Sequence, residues 1–248
     1  MTTILVTGGT GTLGRLVTER VRAAGHEARV LSRRSESHPV DLTTGAGLDR
    51  AMAGVDTVVH CASSPKGGDE DAARHLIEAA RGAGVRHVVY ISIVGVDRVP
   101  LGYYKSKLRV ERLLEGSGLG VTVLRTTQFH DLALDIARTL AKPPVVPAPS
   151  GVRIQPVSAA EVAERLVELA LGEPAGAVPD MGGPEVFTMR ELARAYLRAS
   201  GKRRPVVNVR LAGRTYARLR QGGNLTPEPA AGKRTFEEFL QERVGAGH

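Results

Sequence analysis

Tyr103 and Lys107 stand four residues apart in the run Tyr103-Tyr104-Lys105-Ser106-Lys107, a spacing that places both on one face of a helix. A phenol with an ordinary pKa of about 10 is a poor acid-base catalyst at neutral pH, but a neighbouring ammonium favours the phenolate and brings it into range. A lysine also has donors to spare for a ribose. Taken alone, such a pair is ordinary on a helix surface. Its position just after the end of an expected strand, Arg86-His87-Val88-Val89-Tyr90-Ile91-Ser92, makes it a candidate site. Tyr104 and Lys107 are three apart and share the face too, so the spacing leaves open which tyrosine points inward.

The second chemical pattern is Thr7-Gly8-Gly9-Thr10-Gly11-Thr12-Leu13-Gly14, directly behind the apolar run Ile4-Leu5-Val6 and ahead of the helical pattern Arg15 to Val21. A strand, a glycine-rich turn and a helix start in this order form a dinucleotide-binding signature. Gly8 suits the turn, Gly11 lets backbone approach a pyrophosphate, and Gly14 lets the helix pack close to the strand. The helix N-terminus then faces the phosphates. A second strand over His26-Glu27-Ala28-Arg29-Val30-Leu31 completes a βαβ unit. At its end, where NAD-type sites carry an acidic residue for the ribose 2′-hydroxyl, the chain has Ser32-Arg33-Arg34. A hydroxyl and two guanidiniums suit a 2′-phosphate, which a carboxylate would repel, so NADP(H) is the expected cofactor.

These residues require a scaffold of alternating strands and helices. Further strands are expected at Asp56 to Cys61, at Arg86 to Ser92 and at Gly120 to Arg125, with helices over about 69–83 and 103–116. The pattern predicts an α/β fold: a Rossmann-type doubly wound parallel sheet with a smaller C-terminal substrate-side lobe. The proline cluster Lys142 to Pro149 forbids helix and imposes extended backbone, and it sets the expected division into a cofactor core, 1–148, and a lobe, 149–248, packed as one compact unit. Beyond it, Ser158-Ala159-Ala160-Glu161 and Thr188-Met189-Arg190-Glu191 each read as a capping box opening a helix. Gly182-Gly183-Pro184 supplies a turn, and Pro205 to Asn208 and Val209 a late strand.

With 248 residues and 42% hydrophobic content the chain can bury a substantial core. Its single cysteine, Cys61, excludes an intrachain disulfide and fits a reducing compartment. No stretch reads as a basic and apolar leader or reaches membrane-spanning length, so a cytoplasmic protein with no membrane partner is expected. The net charge of +8 would suit nucleic acid, but the basic residues are dispersed among Glu and only 4% of residues are aromatic, with no Trp. Attraction of anionic small molecules is the economical use of the excess, and no nucleic-acid partner is expected. His and carboxylate spacings predict no metal.

Together the Thr7 to Gly14 loop, Ser32-Arg33-Arg34, Val40-Asp41-Leu42, Tyr90 to Val96, Tyr103 to Lys107 and Leu124 to Phe129 resemble the atypical or extended short-chain dehydrogenases/reductases of the NmrA-like, NAD(P)-binding group. The resemblance covers most of the chain. It implies a Rossmann fold with an NADP site in which Gly8, Thr10, Gly11, Thr12, Leu13 and Gly14 hold the phosphates, Asp41 and Leu42 lie by the adenine, and the strand end at His60, Cys61, Ala62 and Ser63 lines the cofactor. It also implies Tyr103 as proton donor, Lys107 as its modulator and ribose ligand, and Ser92 as carbonyl polariser. Related reductases usually carry a second hydroxyl after that serine; this chain has Ile93. The activity implied is hydride transfer between NADPH and a carbonyl, quinone or similar small-molecule substrate, by a monomer or homodimer. The group also contains NADP-binding redox sensors that act through partner proteins, some of which lack the Tyr-Lys pair. An isomerase or dehydratase that keeps its cofactor bound is a third reading that no residue excludes.

Among lesser candidates, His60 at a strand end reads as a hydrogen-bonded structural residue rather than a proton shuttle. Gln128, Phe129 and His130 could shape a substrate pocket or pack, and Cys61 reads as buried and inert.

Overall fold

The computed structural model describes residues 1–31, 40–64, 67–226 and 231–244. In chain order the elements among them are β1 (Thr3–Thr7), α1 (Thr12–Ala23), β2 (Glu27–Leu31), α2 (Leu48–Met52), β3 (Thr57–His60), α3 (Asp69–Gly82), β4 (His87–Ile93), α4 (Gly102–Glu115), β5 (Gly120–Thr126), α5 (His130–Leu140), β6 (Val146–Pro149), β7 (Arg153–Ile154), α6 (Ala159–Leu171), β8 (Gly176–Ala177), β9 (Phe187–Thr188), α7 (Met189–Ala199), β10 (Val206–Val209), α8 (Arg214–Arg220) and α9 (Phe236–Val244).

Two compact units emerge, each built from three segments. The first contains Met1–Ser92, Gly102–Arg125 and Ala160–Pro179; the second contains Ile93–Leu101, Thr126–Ala159 and Asp180–His248. The 148/149 boundary expected from the prolines therefore falls inside a continuous segment of the second unit. The proline-rich run does adopt extended backbone, as β6.

The first unit is a six-stranded sheet in the order β2-β1-β3-β4-β5-β8. β1 pairs in parallel with both β2 and β3, and β3 with β4. The central strands read as continuous apolar runs because both faces are covered. Ile4, Leu5, Val6, Val58, Val59, Val88 and Val89 are fully buried, whereas the edge strand β2 is only partly covered. Strand order reverses at β1/β3, so a crevice opens beyond their carboxyl ends, the place where open α/β sheets bind ligands.

Within this unit α4 is fixed against β5 by a bidentate pair: Arg125 Nε donates to Glu111 Oε1 at 3.0 Å and its second nitrogen to Oε2 at 2.6 Å. Glu111 is buried, and the pair holds the helix that carries Tyr103 and Lys107. Removing only the guanidinium strands a buried carboxylate. Arg125→Met should therefore cost about 2 kcal/mol in chemical denaturation, with double replacement of both partners by apolar residues recovering much of it.

In the second unit β6 pairs in parallel with β10 and β7 antiparallel with β9. The capping box expected at Thr188 forms: Glu191 N donates to Thr188 Oγ1 at 3.2 Å, and Thr188 N to Glu191 Oε2 at 2.8 Å. A second box, at Thr235 and Glu238, opens α9. His130 is buried against Phe236 and Phe239, with ring centroids 5.8 and 5.1 Å away, so it packs in this unit's core. Gln128 and Gln155 are buried together: Gln155 N donates to Gln128 Oε1, and Gln155 Nε2 to the Gly183 carbonyl.

Candidate functional site

The carboxyl ends of β1 and β3 are joined by Thr7. Its Oγ1 lies 2.7 Å from His60 Nδ1 and accepts the Ala62 N–H at 3.1 Å. His60 stacks on Tyr90 at 5.4 Å, is 2% exposed, and burial pushes its imidazole down to about 3, so it is a neutral structural group, as its strand-end position suggested.

Above this junction the glycine loop turns into α1. Gly8 has φ +65°, and a Cβ there would sit 2.8 Å from Ala62 N; a Cβ on Gly14 would lie 2.3 Å from the Gly8 carbonyl oxygen. Neither position admits a side chain while the loop keeps its path. At Gly11 the situation differs. A Cβ would meet only the Gly8 carbonyl oxygen, at 3.3 Å, and Gly11 is the N-cap of α1 with no side chain capping the helix. The first-turn N–H groups of Thr12, Leu13 and Gly14 therefore have no intrahelical partner and form a ready anion site.

A cavity of about 890 Å³ opens in front of the loop. Of the residues expected at the cofactor, Gly8, Thr10, Gly11, Asp41, Leu42, Cys61, Ala62 and Ser63 line it. Thr12, Leu13 and Gly14 form the first turn of α1 behind that wall. Asp41 is held by Thr43, whose N–H donates to Oδ1 at 2.9 Å. Cys61 borders the cavity, partly exposed where burial was expected, and desolvation pushes its thiol up to about 12. Ser32, Arg33 and Arg34 lie outside the described residues. The volume, the Cβ-excluding turn and the uncapped helix start all fit a dinucleotide.

Tyr103 is the tyrosine that reaches this wall. Its Oη lies 2.8 Å from Ser63 Oγ, and Ser63 Oγ in turn donates to Asp69 Oδ2 at 2.5 Å. Burial raises the phenol above its ordinary pKa, and Asp69 adds to the rise. The expected lowering by a neighbouring ammonium is thus replaced by an upward shift. The reason is where Lys107 goes. Its Nζ, 3% exposed, donates to the Ile91 carbonyl at 3.0 Å and lies 4.6 Å from the Tyr90 ring centroid. Ser92 Oγ is buried with no hydrogen-bond partner among the described residues.

Burial pushes the Lys107 ammonium down to about 8, with Asp69 opposing. Between about pH 8 and pH 10.5 the unfolded lysine still holds a proton that the folded one has released, so Lys107 makes stability rise with pH across that window. At pH 7 the buried charge costs on the order of 3 kcal/mol. Lys107→Met should therefore gain about 2 kcal/mol at pH 7, the lost carbonyl bond offsetting part of the gain, and should lack that rise. The raised Cys61 and Tyr103 groups act in the opposite sense, so the quantity to read is the difference between the two proteins in denaturation from pH 7 to pH 11.

A parallel sheet with a cradle for phosphates at its switch point defines a dinucleotide-binding protein. The chain belongs to the NAD(P)H-binding family, whose profile matches residues 8–172. It is 32% identical over 213 residues to (4-alkanoyl-5-oxo-2,5-dihydrofuran-3-yl)methyl phosphate reductase of Streptomyces griseus, covering 80% of this chain and 74% of that one. To quinone oxidoreductase 2 of Escherichia coli it is 27% identical over 216 residues, covering 80% and 75%. Among solved structures, an NADPH-dependent quinone oxidoreductase of Escherichia coli in complex with NADPH superposes with a TM-score of 0.80 at 22% identity, over 97% of this chain and 99% of that one. The protein is an NAD(P)-binding Rossmann-fold member of an oxidoreductase superfamily, related to the reductase and the quinone oxidoreductase just named.

Among the described residues no helix is long and apolar enough to cross a membrane, and no group of three or more His, Cys, Asp or Glu is placed to hold a metal ion.

Proposed function

We propose that this protein is an NADPH-dependent reductase acting on a carbonyl, quinone or similar small organic acceptor. The observation that carries the reading is the Tyr103 hydroxyl, bonded at 2.8 Å to a serine in the wall of the dinucleotide cavity and held in its protonated form. Its supports are the names of the two relatives, a reductase and a quinone oxidoreductase, and the basic Ser32-Arg33-Arg34 segment, which suits the extra phosphate of NADP.

When bound, the nicotinamide supplies a hydride and leaves the protein to provide binding, orientation and a proton. Gly8, Thr10 and Gly11, with the first turn of α1, would hold the pyrophosphate, and Asp41, Leu42 and Ser63, which line the same cavity, would hold the rest of the dinucleotide. Lys107 keeps donors beyond the one used on Ile91 and adds positive charge. Tyr103 gives the proton from Oη to the acceptor oxygen, and the unpaired Ser92 hydroxyl is available to polarise that oxygen.

The test is oxidation of NADPH and of NADH, followed at 340 nm, across a panel of quinones, aldehydes, ketones and unsaturated lactones. Turnover with NADPH well above NADH on at least one acceptor is expected. Tight NADPH binding with no turnover on any acceptor, together with a co-purifying protein released as the NADP/NADPH ratio changes, would replace this reading with that of a redox sensor.

A further inference from the structure

Asp69 opens α3 but is 6% exposed, and both its oxygens are engaged: Oδ1 accepts the Ser64 N–H at 2.7 Å and Oδ2 the Ser63 hydroxyl at 2.5 Å. Stabilising a helix start requires neither that burial nor the serine hydroxyl. A carboxylate only accepts, so the single proton of Ser63 points at Asp69, and the Ser63 oxygen is left to accept from Tyr103 Oη at 2.8 Å. The three oxygens form one directed chain from the cavity wall to a buried acid. We propose that Asp69 is the terminus of a proton wire, Asp69–Ser63–Tyr103, making it a positioning residue that sets the direction of the Tyr103 hydroxyl and reloads it. This rests on the reading that Tyr103 exchanges a proton with substrate.

In the reducing direction the Tyr103 O–H bond breaks as the acceptor O–H forms. The Ser63 proton moves to Tyr103 Oη, and a solvent proton, entering through the cavity that Asp69 lines, passes over the Asp69 carboxylate to Ser63 Oγ. Three O–H bonds break and three form, and no electrons travel along the wire. In the opposite direction every proton runs backward and leaves over Asp69. The charged and titratable groups around the wire are Lys107 and Glu111 on α4, Tyr90 on β4 and Cys61 after β3; Asp69 acts on Lys107, Tyr90 and Tyr103 alike.

Two variants disconnect the wire from opposite ends. Asp69→Asn keeps an acceptor for the Ser64 N–H but presents an N–H₂ to Ser63, so the serine proton turns toward Tyr103. Ser63→Ala removes the middle oxygen. Tyr103 ionisation is read without any turnover, as the difference in tyrosinate absorbance between each protein and its Tyr103→Phe counterpart. In Asp69→Asn the midpoint should fall by about one pH unit, because Ser63 then donates to the phenolate, and in Ser63→Ala it should also fall, because the neutral phenol loses its acceptor. With an acceptor identified, kcat plotted against the deuterium fraction of the solvent should be curved for wild type, reporting more than one proton in flight, and straight for Ser63→Ala. Unmoved midpoints in both variants, or a straight plot for wild type, would overturn the wire. If no acceptor turns over, the reductase reading fails and the titration alone decides the wire. Should Asp69→Asn not fold, Ser63→Ala reads the same chain from its other side.

Discussion

A Gly11→Asp variant is expected to fold about as stably as the wild-type chain and to bind NADPH roughly 10²–10³-fold more weakly. The two effects share one cause. Gly11 is the N-cap of α1 in extended conformation, φ −79° and ψ 174°, with no side chain satisfying the first-turn N–H groups. Aspartate is among the best residues for that position and would accept one of those N–H groups, adding a few tenths of a kcal/mol over glycine. The new Cβ would meet only the Gly8 carbonyl oxygen, at 3.3 Å, a tight contact that a shift of a few tenths of an ångström relieves. The carboxylate would then occupy the site meant for pyrophosphate and repel it, a conflict worth several kcal/mol between like charges. Gly14→Ala makes the control. Its Cβ would fall 2.3 Å from the Gly8 carbonyl, so it should lose binding through a damaged loop and a lowered Tm. Tm and NADPH titrations followed by cofactor fluorescence separate the cases. Unchanged affinity in a folded Gly11→Asp protein would move the dinucleotide away from the α1 N-terminus.

The parts of this site that could be read in the sequence are those encoded locally. Buried parallel strands leave continuous apolar runs, so Ile4-Leu5-Val6 and Thr57 to His60 announce themselves, and a glycine loop between strand and helix admits few other uses. The Thr188/Glu191 box was legible for the same reason. The Thr235-Phe236-Glu237-Glu238 run carries the same signal for α9 but was not among the expected helix starts; the structure revealed it. What local pattern does not encode is the company a side chain keeps. Helical spacing correctly puts Tyr103 and Lys107 on one face, yet the ammonium turns to the Ile91 carbonyl and the phenol to Ser63. Ser63 and Tyr103 are forty residues apart, and only the return of the chain from β3 through α3 and β4 to α4 makes them neighbours. The division of the chain escaped for a related reason. Residues 93–101 join the second unit although Ile93 is the last residue of β4, and 160–179 return to the first, so no single linker marks a boundary.

Replacing Tyr103 by Phe should lower NADPH-dependent turnover by about 10²–10⁴-fold, the usual worth of a positioned general acid, with NADPH affinity nearly unchanged. The direction of the phenol's shift sharpens this expectation. Burial and Asp69 hold Tyr103 above its ordinary pKa of 10, so across the neutral range it carries the proton that a reduction consumes. The reverse reaction needs a phenolate, which the same surroundings disfavour, and oxidation of an alcohol by NADP should become appreciable only in alkaline solution. Two groups then shape the wild-type pH profile of reduction. A step at about pH 8 reports the Lys107 ammonium and one above pH 10 reports the loss of the Tyr103 proton. In Tyr103→Phe the residual rate keeps the first step and lacks the second. Wild-type turnover in the variant, or an alkaline step that survives it, would assign the proton to another donor, and the buried, unpaired hydroxyl of Ser92 would be the next to replace.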